Sequence, residues 1–343
     1  MRTRRLKAPP SHPVAYYHCL SRVVNRDFLF HPLEREQFVR YLREYEAFCG
    51  VRVLTFCVLS NHFHLLVEVP AKPAQPLSAE ELIARLEALS STALCAATAR
   101  QRLEMFRQAQ DAQGEREFIE QTCRSMWDVS GFLQRLKQRF TQWFNRHHGR
   151  KGTLWEERFK SVLVEGAGEP LATLAAYIDL NPVRAGLVDD PKDYRWCGYG
   201  AAAAGQRQAQ LGLRGVMAAG QRIAQEALSL EEALAGYRQW LFGQGEQREG
   251  LSKEGQPLRR GFEREAVLAV IAARGRLGVA EYARLRVRYF ADGAVLGTRG
   301  FVDGIFSELR HGFGAKRQSG ARRMEGLELE LFTLRQLRRQ VFG

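Results

Sequence analysis

Hydrophobic residues near the amino terminus follow two different periods. Runs rich in β-branched and aromatic residues at 14–22, 51–59 and 63–69 are typical of β-strands. Between the first two runs, apolar side chains recur at three- and four-residue spacing from Pro32 to Cys49, and Gly50 supplies a stop signal for a helix. The order strand, helix, strand, strand predicts the first half of a ferredoxin-like α/β sandwich.

A second half with the same character follows after an interruption. Residues 129–148 form the clearest amphipathic helix of the chain, and an apolar run at 159–164 predicts the last strand. The intervening residues 72–126 are rich in Ala, Leu, Glu, Gln and Arg, which favour helix, and we interpret them as a helical insertion. Residues 1–200 are therefore predicted to form one α+β domain, with an antiparallel sheet and helices on its faces.

The carboxyl-terminal third has a different composition. Residues 201–260 are rich in alanine and glycine and predict a helical linker region. Residues 261–343 are predicted to be a mainly helical, basic unit, with helices at 264–273 and 301–310 and a basic loop at 316–323. We hypothesise that this unit is an accessory domain that helps to bind DNA. An ordinary solvated charged surface is the alternative.

Two histidines lie one residue apart at the start of the third predicted strand. Side chains alternate between the faces of a strand, so His62 and His64 project to one face and Phe63 to the other. Two imidazoles on one face are half of a metal site, and a pair of polar positions on a solvent-facing strand is the alternative interpretation. His18, in the first predicted strand, fits either the core or the site.

Pro170 opens a further predicted helix that carries two polar residues of interest. Tyr177 and Asn181 are four residues apart and therefore lie on one face of that helix. Asn181 precedes Pro182, and a residue before proline is disfavoured in the helical conformation. Asn181 is therefore expected at the end of the helix, only approximately aligned with Tyr177.

The chain is strongly basic, with 51 Lys and Arg residues against 38 Asp and Glu, a net charge of +13 and a pI near 9.8. This excess predicts a polyanionic partner, and nucleic acid is the first inference. No apolar run approaches the ~20 residues of a membrane span, so no membrane association is expected. The charged start leads into prolines and not into an apolar signal core, and the six cysteines form no CxxC pair, which together predict a cytoplasmic protein with free thiols.

Three segments together carry a family resemblance. They are Asn61 to Glu68, which includes both histidines of the third strand, Gly152 to Val164, and Tyr177 to Val188. In these segments, and in their order and separation, the chain resembles the single-tyrosine HUH transposases, in particular the IS200-like, REP-associated tyrosine transposases of bacteria.

The resemblance implies a function and a set of site residues. His62, His64 and Asn181 would bind a divalent metal ion, and Tyr177 would attack single-stranded DNA to form a 5′-phosphotyrosine. The family is associated with Mg²⁺ or Mn²⁺, whereas imidazole ligands by themselves suit zinc or another transition metal. The implied protein is a metal-dependent transposase that cleaves and rejoins single-stranded DNA near hairpin-forming palindromic repeats in the bacterial cytoplasm. It would need no nucleotide cofactor and would act as a monomer or homodimer.

A group of basic residues is expected to contact the phosphate backbone, and one aromatic residue to stack on bases. These are Arg139, Lys151, Arg158, Lys160 and Arg184, with Trp155 for stacking. Two other function classes stay open. One is a catalytically inactive relative that only binds DNA in a regulatory role. The other is a zinc hydrolase, which would need a carboxylate as general base, and the motifs place none.

Overall fold

The computed structural model describes most of the chain. The described residues are 8, 13–89, 93–166, 169–245, 261–275, 293–297, 299–308, 310, 317–318, 320–323 and 332–335. None of the helices in these ranges combines the length and the apolar character needed to cross a membrane.

The strands and helices of the amino-terminal two thirds follow the predicted order. They are β1 (Val14–Arg22), α1 (Pro32–Cys49), β2 (Arg52–Val58), β3 (His62–Pro70), α2 (Ala79–Glu87), α3 (Ala93–Gln108), α4 (Ala112–Cys123), α5 (Val129–His147), β4 (Lys160–Val164), α6 (Glu169–Asp179), α7 (Asn181–Arg184), α8 (Gly198–Ala203), α9 (Arg207–Gln221) and α10 (Leu230–Gly245). The prediction of a helical insertion is confirmed by α2, α3 and α4, of which α2 begins at a capping box formed by Ser78 and Glu81.

The four strands form an antiparallel sheet in the order β2, β3, β1, β4. With α1 between β1 and β2, and α5 between β3 and β4, this is the strand–helix–strand–strand–helix–strand arrangement of a ferredoxin-like sandwich. The predicted fold class is therefore confirmed by the strand order itself. The insertion enters between β3 and α5, at the midpoint of this pattern.

One face of the sheet is covered by α1 and α5 through an aromatic core. Phe63 of β3 is fully buried, with its ring centroid 4.7 Å from that of Phe38 on α1, and Phe38 in turn lies 5.2 Å from Phe140 on α5. Because neighbours along a strand point to opposite faces, His62 and His64 lie on the other face. Aromatic packing on the helix side thus sets which way the histidines point.

The other face is covered by α6 and by helices that the sequence interpretation placed in a linker region. Helix α9 packs on β2, and its Leu213 and Val216 are fully buried. A Cβ on Gly212 would collide with the carbonyl oxygen of Leu54, so glycine is what allows this close approach. The described residues of this region, up to 245, are mainly helical, as predicted, and their small residues let the helices pack closely against the sheet.

Asp179, at the end of α6, connects the sheet to three helices. Its carboxylate accepts hydrogen bonds from the Thr55 hydroxyl on β2 (2.8 and 3.0 Å), the Tyr199 backbone N–H on α8 (2.9 Å) and the Tyr237 hydroxyl on α10 (2.6 Å). Asp179 is fully buried, and this burial raises its pKa to about 6 despite the hydrogen bonds.

The carboxyl-terminal unit contains a small sheet besides its helices. Its elements are α11 (Arg264–Ala272), β5 (Gly293–Gly297), α12 (Arg299–Glu308), β6 (Arg322–Arg323) and β7 (Phe332–Arg335), with the strands in the order β5, β7, β6. Both predicted helices are present, but the sheet was not predicted because such short strands show no clear period. Of the predicted basic loop, part lies outside the described residues, and Arg322 and Arg323 form a strand.

Asp179 should make the stability of the protein depend on pH. Its pKa in the folded state, about 6, lies above the ordinary 3.8, so the stabilising contribution is complete below pH 4 and is lost as the pH rises through 6. Relative to Asp179→Asn, which cannot ionise, the free energy of unfolding of the wild type should fall by about 2 kcal/mol between pH 4 and 7. Urea denaturation at both pH values measures this difference.

Asp190 is a control for this measurement because its pKa is shifted in the opposite direction from that of Asp179. Burial alone would raise its pKa, but the neighbouring Arg238 and Lys192 lower it, so its contribution is lost as the pH falls. Asp190→Asn should therefore destabilise the protein at pH 7 more than at pH 4. Parallel stability curves for the wild type and Asp179→Asn would contradict the role given to Asp179.

Candidate active site

Three histidines meet on the face of the sheet that α6 covers. The rings of His62 and His64 have centroids 5.2 Å apart, and the Nε2 atom of His18 on β1 lies 2.9 Å from the Nδ1 atom of His64. The rings of His18 and His64 are also stacked, with centroids 5.2 Å apart. His18, which the sequence left between core and site, therefore belongs to the site.

Asn61 fixes the orientation and the tautomer of His62. The Asn61 side-chain N–H donates to the carbonyl of Arg26 (3.0 Å), which leaves its Oδ1 facing the Nδ1 atom of His62 at 2.7 Å. An amide oxygen can only accept, so His62 must carry its proton on Nδ1. The Nε2 atom of His62 then keeps its lone pair and can bind a metal ion.

The histidines are uncharged at neutral pH because of where they lie. Burial, with a further contribution from Arg22, lowers the pKa of His62 to about 4. Burial and then the neighbouring His62, His18 and Arg22 lower the pKa of His64 to about 3, and burial also lowers the pKa of His18. Neutral imidazoles have lone pairs free for metal ligation.

Tyr177 projects from α6 next to the histidines. Its ring centroid is 5.9 Å from that of His64 and 6.3 Å from that of His18, in both cases edge to face. The side chain is 42% exposed, so a large molecule can reach the hydroxyl from solvent. The guanidinium of Arg184 lies 4.7 Å from the ring centroid. The structure thus brings together residues that are more than a hundred positions apart.

Asn181 begins α7, with one residue between it and the end of α6. Its side-chain N–H groups donate to the carbonyls of Tyr177 (2.9 Å) and Ile178 (3.1 Å), so the amide caps the last turn of α6. Those carbonyls only accept, which leaves Oδ1 as the atom that Asn181 can offer to a metal. Among the described residues, no hydrogen bond joins the Asn181 side chain to a histidine.

The predicted basic residues occupy different parts of the surface. Lys160 on β4 is opposite Leu20, which is itself opposite His64, so Lys160 shares the histidine face about two strand spacings, ~10 Å, away. Lys151 and Arg158 are exposed in the loop before β4. Arg139 lies over the Tyr41 ring on the helix side of the sheet, away from the histidines.

Arg22 is a site residue that the sequence interpretation missed. It is the cross-strand neighbour of His62 and is exposed on the same face. The sequence shows that His18, Leu20 and Arg22 share one face of β1. It does not show that this face is the one that carries His62, because that requires the pairing of β1 with β3.

Trp155 does not have the predicted role. Its ring is buried against Phe30 and Phe63, and its indole N–H donates to the Thr141 hydroxyl at 2.9 Å. A base cannot reach a ring in this position. The expectation failed because an exposed and a buried tryptophan look alike in an isolated loop sequence.

Comparison with known proteins agrees with the motifs. Residues 11–109 match the family model described as "Transposase IS200 like". The segment 11–109 is therefore similar to the IS200-like transposases. This segment contains His62 and His64 and ends before Tyr177.

Other comparisons add little to the IS200-like match. No curated protein matches the chain. One solved structure, a REP-associated tyrosine transposase bound to a REP hairpin, matches over 60% of this chain and 86% of that chain, with 13% sequence identity and a TM-score of 0.33. The fold assignment of the IS200-like segment rests on the strand order.

Trp155→Ala should destabilise the domain that contains the IS200-like segment. Removal of a buried aromatic ring from a packed core costs about 3–5 kcal/mol, which urea denaturation followed by circular dichroism can measure. Lys151→Ala, in the same loop but exposed, should change the free energy of unfolding by less than about 0.5 kcal/mol. Unchanged stability of Trp155→Ala together with weaker DNA binding would instead support the stacking role.

Proposed function

We propose that the protein is a metal-dependent, single-strand DNA endonuclease and transesterase with Tyr177 as its nucleophile. The observation that carries this proposal is the position of the Tyr177 ring, 5.9 Å by centroids from His64, with its side chain exposed to solvent. A tyrosine at a histidine pair on a basic protein has the parts that phosphodiester chemistry needs.

The residues present fit a divalent metal ion. His62 offers Nε2, His64 offers the ring nitrogen not engaged with His18, and Asn181 offers Oδ1. Two neutral nitrogens and one amide oxygen form a sparse site, so water and a phosphate oxygen would complete the coordination of Mg²⁺ or Mn²⁺. When bound, such an ion neutralises phosphate charge and orients the phosphorus for attack.

The chain's own residues account for the other requirements of the reaction. The Tyr177 oxygen forms a bond to phosphorus while the bond to the 3′ oxygen breaks. The phenol proton leaves to solvent, and the 3′ oxygen takes up a proton from solvent. The product is a 5′-phosphotyrosine and a free 3′-OH. Because one phosphoester replaces another, the step is reversible and needs no nucleotide cofactor. Arg184, which lies over the Tyr177 ring, and Arg22, the cross-strand neighbour of His62, attract and hold the scissile phosphate.

DNA is proposed as the partner because of the distribution of charge. The net charge of +13 is accompanied by Lys160 on the histidine face and by Lys151 and Arg158, which are exposed in the loop before β4. Flexible basic side chains suit a single-stranded backbone beside a hairpin. We also propose that residues 261–343 are an accessory DNA-binding unit, that the protein acts in the cytoplasm, and that it works as a monomer or homodimer.

A covalent adduct is the decisive test of the nucleophile. Labelled single-stranded DNA with a hairpin, incubated with the protein and Mg²⁺ or Mn²⁺, should give an adduct that survives denaturing electrophoresis. Tyr177→Phe should abolish the adduct because the attacking oxygen is gone. Tyr16 lies on β1, on the face of the sheet that carries His18, and Tyr16→Phe should leave the adduct unchanged. An adduct formed by Tyr177→Phe would overturn the assignment.

The same experiment separates catalysis from binding. His64→Ala should abolish the adduct but keep most of the DNA affinity, since affinity comes mainly from phosphate contacts. Binding of DNA by the wild type without an adduct under any divalent metal would favour the catalytically inactive, regulatory alternative.

Asn61 should act as a positioning residue for the metal ligand His62. Asn61→Ala removes the acceptor that holds the proton on Nδ1, and loss of such a partner typically weakens metal binding 10–100-fold. The metal concentration for half-maximal adduct formation should rise by that factor, while the maximal rate changes less. Ser60→Ala, the neighbouring position, serves as the control. Equal metal requirements for Asn61→Ala and Ser60→Ala would show that the hydrogen bond has no such role.

A further inference from the structure

A second group of metal-binding side chains lies on the helix side of the sheet. Among the residues that the structure describes, Glu34, His147 and His148 place a carboxylate oxygen and two ring nitrogens within 4.8 Å of one another. Glu34 is at the start of α1, and the histidines are at the end of α5. These helices cover the face opposite to His62 and His64, so this group is separate from the candidate active site.

Glu34 is a buried carboxylate with a hydrogen-bond partner for one of its two oxygen atoms. It is 2% exposed, and its Oε1 lies 3.0 Å from the Nε2 atom of His148. Its Oε2 is buried and has no hydrogen-bond partner among the described residues. A buried carboxylate oxygen without a hydrogen-bond partner destabilises the folded state, and a bound cation would offset that cost.

The two histidines face the same point because the helix ends between them. Consecutive residues within a helix point in different directions, but His148 has φ −100° and ψ 9° and has left the helix. The two rings lie 4.9 Å apart and nearly perpendicular, at 87°. Stacking of His147 on Trp143 at 5.2 Å fixes the plane of the first ring, and contact with Phe144 at 4.3 Å supports the second.

We propose that Glu34, His147 and His148 bind a divalent transition-metal ion such as Zn²⁺. Two imidazoles and one carboxylate form a donor set that zinc favours and Mg²⁺ does not. Zinc–ligand bonds of about 2.0–2.1 Å put tetrahedral ligands about 3.3 Å apart, so small side-chain rotations would complete the site. Both histidines are exposed, and water can take the fourth position. The ion ties the start of α1 to the end of α5.

A simple hydrogen-bonded pair of His148 and Glu34 is the competing explanation. It uses one oxygen of Glu34 and one ring, and it leaves the buried Oε2 atom of Glu34 without a partner among the described residues. Arg150, whose guanidinium lies 5.7 Å from the Phe144 ring, adds positive charge nearby and disfavours a cation. Because this charge opposes a bound cation, loss of any one of the three ligands is expected to weaken binding.

Zinc titration of a chain with a disabled active site tests the proposal. The background variant carries His62→Ala and His64→Ala to remove the first site, and Cys95→Ser to remove the exposed thiol. Isothermal titration calorimetry should then show one Zn²⁺ bound per chain. Adding Glu34→Gln or His147→Asn should weaken this binding at least tenfold. Adding His31→Ala, an exposed histidine just before α1, should not.

Thermal unfolding followed by circular dichroism guards against variants that fail to fold. Zn²⁺ should raise the unfolding temperature of the background variant and leave that of the His147→Asn variant unchanged, because a ligand of the native state stabilises it. His147 is exposed, so its replacement should not disturb the core. Absence of zinc binding in the background variant, or equal affinity with and without His147→Asn, would overturn the proposal.

Discussion

The two-residue period of β3 is the constraint on which both the core and the candidate site depend. Phe63 fills the aromatic core under α1 and α5, and the residues on either side of it, His62 and His64, must then face α6. A shift of pairing by one residue would place the imidazoles in the aromatic core and the phenyl ring on the face that α6 covers. The energy of aromatic packing therefore also selects the register that assembles the site.

In helix α6, on the other face of the sheet, a buried residue likewise sets the direction of a site residue. Tyr177 and Asp179 are two residues apart and point to different sides of the helix, so the burial of one sets the direction of the other. Hydrogen bonds from Thr55 and Tyr237 hold Asp179 between β2 and α10, and the exposed Tyr177 is left beside His64. The helices of the carboxyl-terminal half thus contribute to the site by fixing the rotation of α6, although they add no residue to it.

Local patterns were enough to predict the elements of the sandwich and the histidine pair, because a period of two or 3.6 is visible within a few residues. Residues defined by pairing were not predictable in that way. Arg22 joins the site only through its register with His62, and Asn61 matters only through the carbonyl of Arg26. The small residues of α9 suggested a linker because alanine and glycine are common in linkers. They are also common where helices pack closely, and composition does not distinguish a linker from a closely packed helix.

The charges around the histidines have a consequence for the proposed chemistry. Arg22 contributes to the lowered pKa of both His62 and His64, since positive charge disfavours a second positive charge nearby. The same field opposes a divalent cation on those rings. A DNA phosphate brings negative charge to Arg22 and Arg184 and removes that penalty. Metal and DNA should therefore each strengthen the binding of the other, and by linkage the two effects are equal in free energy.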